Sequence, residues 1–465
     1  VDPELFRRTA EIAGEYLTSL SERPVRAGAS LEELRSALRV ALEDRSRPAL
    51  QVIEELVAAV DPGLVGTQSP RYFGFVIGGA LDAAIAADWL TSVWDQNAAG
   101  YAGGPSAAVA EEVACEWLVE ILGLPADAGV GLTTGCQMAH FTCLAAARHR
   151  VLADAGWDVE ADGLFGAPPI RVLVGAKAHT TVFAAVRMLG LGSRRVELVA
   201  ADEQGRMRAC ELARLLACGE RPAIVVAQVG EVNTGAIDAV PAIARLAHEH
   251  HAWCHVDGAF GLWAAASPTL RELVEGVAQA DSWATDAHKW LNVPYDCGVA
   301  IVRDRAAHAA AMNSFVGAEY IPRPQHDERH PAAWVAEFSR RARGFAVYAA
   351  LRELGRGGVA ALVERCCGCA QLMAAELARD PRVTVLNDVV LNQVLVRFAC
   401  DGANVTHEVI DAVQREGTCW MSGTEWEGEP AMRISVSNWR TTEDDIRRSA
   451  RAILAQIGIA ARVRT

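Results

Sequence analysis

Lys289 sits in the segment Asp286-Ala287-His288-Lys289-Trp290, directly after a β-branched run, residues 282–285, that reads as a strand. A lysine just past a strand end, among histidine and aromatic residues, can be desolvated enough for its amine to act as a nucleophile. Upstream, His255-Val256-Asp257-Gly258-Ala259 puts a carboxylate at the end of another predicted strand, residues 253–256. Each has an ordinary reading alone: a surface lysine, and an aspartate that caps a helix or shapes a turn. At consecutive strand ends, both side chains face one crevice. Pyridoxal-phosphate (PLP) chemistry needs that pair, a lysine to form the Schiff base and a carboxylate to keep the pyridine nitrogen protonated as an electron sink.

A phosphate cradle is the third requirement. Gly131-Leu132-Thr133-Thr134-Gly135-Cys136-Gln137 precedes a predicted helix from Met138. Small residues before a helix N-terminus supply backbone N–H donors and a favourable dipole for an anion, although Thr-Thr-Gly also caps helices for structural reasons. Ala178-His179-Thr180-Thr181 follows the predicted strand 170–174. An imidazole there could stack on a planar ring; a lone loop histidine is more often simply hydrogen-bonded in place.

In this order (phosphate loop, His, Asp, Lys) the chain resembles the fold-type I PLP enzymes. Within them it resembles the group II amino-acid decarboxylases of the aromatic L-amino-acid decarboxylase type. The resemblance extends to Ser69-Pro70-Arg71-Tyr72-Phe73, Asp286-Ala287-His288-Lys289-Trp290-Leu291, Ser339-Arg340-Arg341 and Met432-Arg433-Ile434-Ser435. It implies that Lys289 carries the cofactor, Asp257 pairs with the pyridinium, His179 stacks on the ring and Ala259 packs on its other face. Thr134, Gly135, Cys136 and Gln137 would hold the phosphate, with Asp286 and His288 beside the cofactor and Asn233 and Thr234 near its oxygen. Arg71, Tyr72 and Phe73, with Trp94, are expected to line the substrate pocket. The resemblance also implies a homodimer with shared active sites and an amino-acid substrate, or a conjugate carrying that group.

Two departures stand out. The phosphate loop of relatives usually reads Thr-Ser-Gly-Gly-Ser or Thr, whereas Thr133-Thr134-Gly135-Cys136-Gln137 keeps the backbone donors and loses one hydroxyl. Relatives also use a loop tyrosine to protonate the α-carbon after CO2 leaves. Counting back from Ser339-Arg340-Arg341, that position falls at Pro331, leaving His330 and Tyr320 as candidate donors. Decarboxylation, the commoner reaction among the enzymes this chain resembles, is the leading expectation, with aldehyde formation the close rival by residue chemistry. Its rivals are decarboxylation-dependent oxidative deamination to an aldehyde, β-elimination from a cysteine-type substrate, and a catalytically silent PLP-binding scaffold.

The surrounding elements suit such a site. From residue 170 onward, strand-like runs alternate with helical patterns, which predicts βαβ units and a mostly parallel sheet covered on both faces. Such sheets present ligands at the carboxyl ends of their strands. The expected architecture is α/β, a seven-stranded-type sheet domain over residues 81–355. A helical segment (1–80) precedes it and a small α+β unit (356–465) follows. A net charge of -14 argues against nucleic acid or an anionic membrane as main partner. No apolar run reaches the roughly 20 residues of a membrane span, and Val1-Asp2-Pro3-Glu4 lacks the pattern of a secretory signal. The 12 scattered cysteines suggest reduced thiols in a cytoplasmic protein. Cys366-Cys367-Gly368-Cys369 has no second ligand pair nearby, so no metal is expected.

Overall fold

The β-branched runs become strands of one seven-stranded sheet in a computed structural model, which describes residues 2–219, 222–313 and 330–463. In chain order these are β1 (Gly129–Thr133), β2 (Arg171–Gly175), β3 (Val196–Val199), β4 (Ala223–Gln228), β5 (Trp253–Asp257), β6 (Ser282–Asp286) and β7 (Gly298–Val302). Their spatial order is β1-β7-β6-β5-β4-β2-β3. Neighbours from β6 to β3 run parallel, while β7 runs antiparallel to both β6 and β1. Every residue of β5 and β6 is buried, as a sheet with helices on both faces requires.

Pattern alone did not reveal β1, because its two glycines dilute the β-branched signal. The expected helix over 270–277 is instead two 3-10 turns, Arg271–Val274 and Val277–Gln279. The two helices expected beyond residue 340 are one long element, Gly344–Leu377, broken at Gly355 where φ reaches 60°. That helix is long and apolar enough to cross a bilayer by composition alone. It packs against the helices Asp82–Trp94, Pro105–Ile121 and Glu443–Val463 and contributes to the main core.

The C-terminal part forms a second, antiparallel sheet from β8 (Val383–Val385), β9 (Gln393–Cys400), β10 (Ala403–Asn404), β11 (Ser422–Trp426) and β12 (Glu429–Ser435). At the other end, the helices Pro3–Ser19, Leu31–Leu38 and Ala49–Val60 bury no residue; the first is capped by Asp2 and the second by a Ser30/Glu33 capping box.

A buried ion pair ties the phosphate loop's strand to the segment before the long helix. Arg340 donates through Nη1 to both Glu111 carboxylate oxygens at 2.9 and 2.7 Å and to the Ala98 carbonyl at 3.0 Å. Its Nη2 donates to the carbonyl of Leu132 in β1 at 2.7 Å. Both side chains are almost fully buried. Removing one partner leaves the other charge desolvated, so Arg340→Ala is expected to lose about 3–5 kcal/mol in urea denaturation. Pairing it with Glu111→Leu should recover much of that loss, and equal stability of Arg340→Ala and the parent would contradict the assignment.

Candidate active site

Parallel pairing sets Asp257 of β5 opposite Ala284 of β6, so the chain leaves both strands at the same edge of the sheet. The segment after β6 is held firmly there. Ala287 and His288 donate their backbone N–H to the Cys297 carbonyl, and buried Asn292 donates from Nδ2 to the carbonyls of Lys289, Trp290 and Ser437. A Cβ on Gly78 would lie 1.7 Å from the Lys289 carbonyl oxygen, so only glycine allows this approach.

The Lys289 ammonium sits 3.0 Å from the Asp286 carboxylate. Burial, the largest single influence, would lower its pKa, but the charge and hydrogen bond of Asp286 together with Cys136 and Asp257 push it up to about 12. Asp257 is buried and accepts from the Ala259 N–H at 3.1 Å. Burial opposes its ionisation, yet His140, His179 and Lys289 together hold the carboxyl below its usual range. His179 accepts from the Thr181 N–H and so caps the helix Thr180–Met188, and burial lowers its pKa. His288 accepts from the Cys297 N–H at 3.1 Å, and burial lowers its pKa also.

The loop Thr134–Gln137 opens the helix Cys136–Ala153, whose N-cap Gly135 makes no side-chain capping bond. The first-turn N–H groups therefore remain available to an anion. A Cβ on Gly298 of β7 would meet the Gly135 carbonyl carbon at 2.4 Å, so β7 presses directly on this loop. Gly135 in turn faces His288 and Asp286. Cys136 is buried and burial raises its thiol pKa, while Gln137 is exposed.

The other expected residues have varied surroundings. Arg71 is buried and donates to the carbonyls of Thr418 and Ser21, so it clamps the chain instead of lining the pocket. Phe73 belongs to the main core, its backbone bonded to Trp420 and Ser435. Tyr72 stacks on Trp420 with ring centroids 5.1 Å apart, beside Phe75. Trp94 is half exposed and edge-on to Phe345. Asn233 and Thr234 are bound into a turn by the Glu231 carboxylate, and the Thr234 hydroxyl donates to the Gln204 carbonyl. His330 packs edge-on to Tyr101, and Tyr320 lies outside the described residues.

Three residues near the crevice were missed. His140 has its Nε2 3.5 Å from Asp257; its i,i+4 spacing from Cys136 was readable, its strand-crossing contact was not. Cys136, His140 and Asp257 bring their ligand atoms within 4.8 Å of one another, a donor set unforeseen when no metal was expected. Arg433 of β12 is coupled electrostatically to His179, and its buried Nε has no hydrogen-bond partner among the described residues. Tyr295 stacks on His288 at 4.3 Å, with its phenol in the field of Lys289 and Asp286.

Residues 32–399 match the pyridoxal-dependent decarboxylase conserved domain. The chain is 28% identical to L-2,4-diaminobutyrate decarboxylase of Rhizobium meliloti, over 93% of this chain and 84% of that protein. It is 22% identical to phenylacetaldehyde synthase of Arabidopsis thaliana, over 95% and 93% respectively. A crystal structure of Oryza sativa TDC with PLP and tryptamine superposes with a TM-score of 0.91 at 23% identity, covering 98% of this chain and 97% of that one. PLP is the cofactor of such a site, and the residues present fit it. An uncapped helix N-terminus, a carboxylate and an amine at neighbouring strand ends match its phosphate, ring nitrogen and aldehyde.

His179, His255 and His288 all have lowered pKa values, that of His255 down to about 3. An unfolded histidine titrates near about 6.5, so below that pH the unfolded chain binds protons that the folded chain refuses. Stability is then full above about pH 6.5 and falls on acidification, by up to about 1.4 kcal/mol per pH unit for each histidine. Urea midpoints should drop steadily from about pH 7 to 5; a flat profile would contradict neutral burial of these rings.

Proposed function

Because the chain belongs to the pyridoxal-dependent decarboxylase family, we propose that it removes the α-carboxylate of an aromatic L-amino acid. The observation that carries this reading is the Lys289 ammonium and the Asp257 carboxylate at the ends of adjacent strands, coupled across one crevice. Lys289 is the attachment point, Asp257 the partner of the pyridine nitrogen, His179 the stacking ring, and the first turn of Cys136–Ala153 the phosphate cradle. Bound there, PLP would supply an electron sink for the pair left on the α-carbon as CO2 departs.

The protein's own groups do the rest. Asp257 stays ionised because His140 and His179 offset its burial, and so it can hold a proton on the ring nitrogen. Tyr72 stacked on Trp420, with Phe75 beside them, offers planar apolar faces to a planar side chain. Arg433, with its unpartnered Nε, is suited to hold a substrate carboxylate away from water.

The proton that replaces the carboxylate must come from a positioned acid. Pro331 has none to give. Among the described residues Tyr295, stacked on His288 and near Lys289, is the phenol best suited to that role, which favours amine as product. The rival, oxidative release of an aldehyde, is supported by Pro331 itself and by the similarity to phenylacetaldehyde synthase.

A homodimer is part of this reading. The N-terminal helices bury nothing in one copy, and Leu31, Val40, Leu42 and Val52 stand exposed there, apolar surface that a second copy would cover. A reducing, cytoplasmic setting is supported by 12 cysteines that form no disulfide.

Two measurements test the proposal. Borohydride reduction should trap the cofactor on Lys289 by peptide mass spectrometry, and Lys289→Ala should lose both the adduct and the visible absorbance. An adduct on another lysine would refute the assignment. With a panel of aromatic amino acids, the parent should release CO2 and amine without oxygen uptake. Tyr295→Phe should cut amine formation by on the order of 10²-fold and divert turnover to aldehyde, ammonia and peroxide. Unchanged amine output from Tyr295→Phe would exclude it as donor, and pyruvate without CO2 would favour β-elimination.

A further inference from the structure

Asp257 ends a line of buried polar groups that the decarboxylation reading does not use. Trp253 Nε1 donates to Ser282 Oγ at 2.8 Å. Ser282 Oγ is 2.9 Å from His255 Nδ1, and His255 Nε2 is 2.9 Å from His140 Nδ1. His140 Nε2 is 3.5 Å from Asp257 Oδ2 and equally far from Cys136 Sγ. His140, His255 and Ser282 have no exposed surface. The chain runs from β5 to β6, back to β5, across to the covering helix and back to β5.

Chemistry gives this line a single direction. An ionised carboxylate only accepts, so His140 must carry its proton on Nε2. A neutral His140 then has an accepting Nδ1, so His255 carries its proton on Nε2 as well. His255 Nδ1 accepts in turn, and only the Ser282 hydroxyl can donate to it. That leaves the Ser282 lone pairs to take the indole N–H, which can only donate. The carboxylate end sets this direction, and the indole N–H at the other end is compatible with it. Burial, followed by the nearby His140, keeps His255 neutral.

We propose that Trp253, Ser282, His255 and His140 form a one-way hydrogen-bond relay that orients Asp257 and holds it ionised against the cofactor's ring nitrogen. The inference rests on the cofactor assignment made above. His140 and His255 are positioning residues: they act through Asp257 and do not touch the reacting atoms. No member offers a route to solvent, so the relay fixes polarity and does not conduct protons. Two neutral imidazoles with locked tautomers give Asp257 a donor without placing a second full positive charge beside the pyridinium, which a lysine or arginine there would do. A dipole chain in a dry interior also strengthens each of its bonds.

Cofactor-free protein labelled with 15N in histidine provides the first test. Long-range 1H–15N spectra should show His140 and His255, assigned by substitution, as neutral Nε2–H tautomers at about pH 7. An imidazolium at His140, an Nδ1–H tautomer at either ring, or a stoichiometric divalent metal on Cys136, His140 and Asp257 would overturn the relay. These results stand whether or not PLP is the cofactor, so failure of that reading, seen as no PLP uptake by the parent, is separately visible. The second test measures PLP affinity and the absorbance of the bound cofactor. His140→Leu should bind PLP on the order of tenfold more weakly, with the protonation-dependent band shifted. His140→Gln, whose amide N–H can reach the Nε2 position, should recover most of both. Equal affinity and spectrum in His140→Leu and the parent, or no recovery in a folded His140→Gln, would refute the proposal; if His140→Leu does not fold, the tautomer spectra alone decide.

Discussion

A carboxylate buried at the end of a central strand must be matched by donors, and the geometry around Asp257 is organised by that demand. Its oxygens receive the Ala259 N–H on one side and His140 on another, and the fields of His179 and Lys289 reach it across the crevice. Leaving such a charge unmatched would cost several kcal/mol or force it to take up a proton. A protonated Asp257 could not keep a pyridine nitrogen charged. The same interactions that make burial tolerable are therefore the ones that make the site useful.

Lys289 faces the complementary problem. Its amine is paired with Asp286, while its backbone is fixed by Asn292, by the close approach of Gly78 and by the link to Ser437 in the C-terminal part. Asn292 thereby couples the lysine segment to the region that carries Arg433 and Trp420. The N-terminal loop, the strand edge and the second sheet all converge on the crevice, so its walls come from residues far apart in the chain. Phe75 and Val76 adopt positive φ in that N-terminal loop, a strained conformation held by the packing of Phe75 on Trp420.

The antiparallel strand β7 shapes the anion-binding end. It is inserted between β6 and β1, and its Gly298 presses on Gly135 at the start of the helix Cys136–Ala153. The Arg340–Glu111 pair anchors β1 from behind through the Leu132 carbonyl. A cradle made of backbone N–H groups depends on this rigidity more than on any hydroxyl, which is why Cys136 and Gln137 can stand where relatives have other residues.

Much of this was legible in the chain itself. Strand-like runs separated by helical ones determined the α/β sheet, because period and β-branching are local properties. Lys289, Asp257 and His179 could be picked out because their residue types and strand-end positions already limit what they can do. Arg71 could not be read correctly: an arginine beside aromatics suits a pocket wall, and only its contacts with Thr418 and Ser21 make it a clamp. His140, Arg433 and Tyr295 were likewise invisible as site residues. Each reaches the crevice from a different element, and which polar atoms meet there depends on strand order, register and the side on which a helix lands. Those are non-local quantities, set when the hydrophobic faces pack, and no window along the sequence contains them.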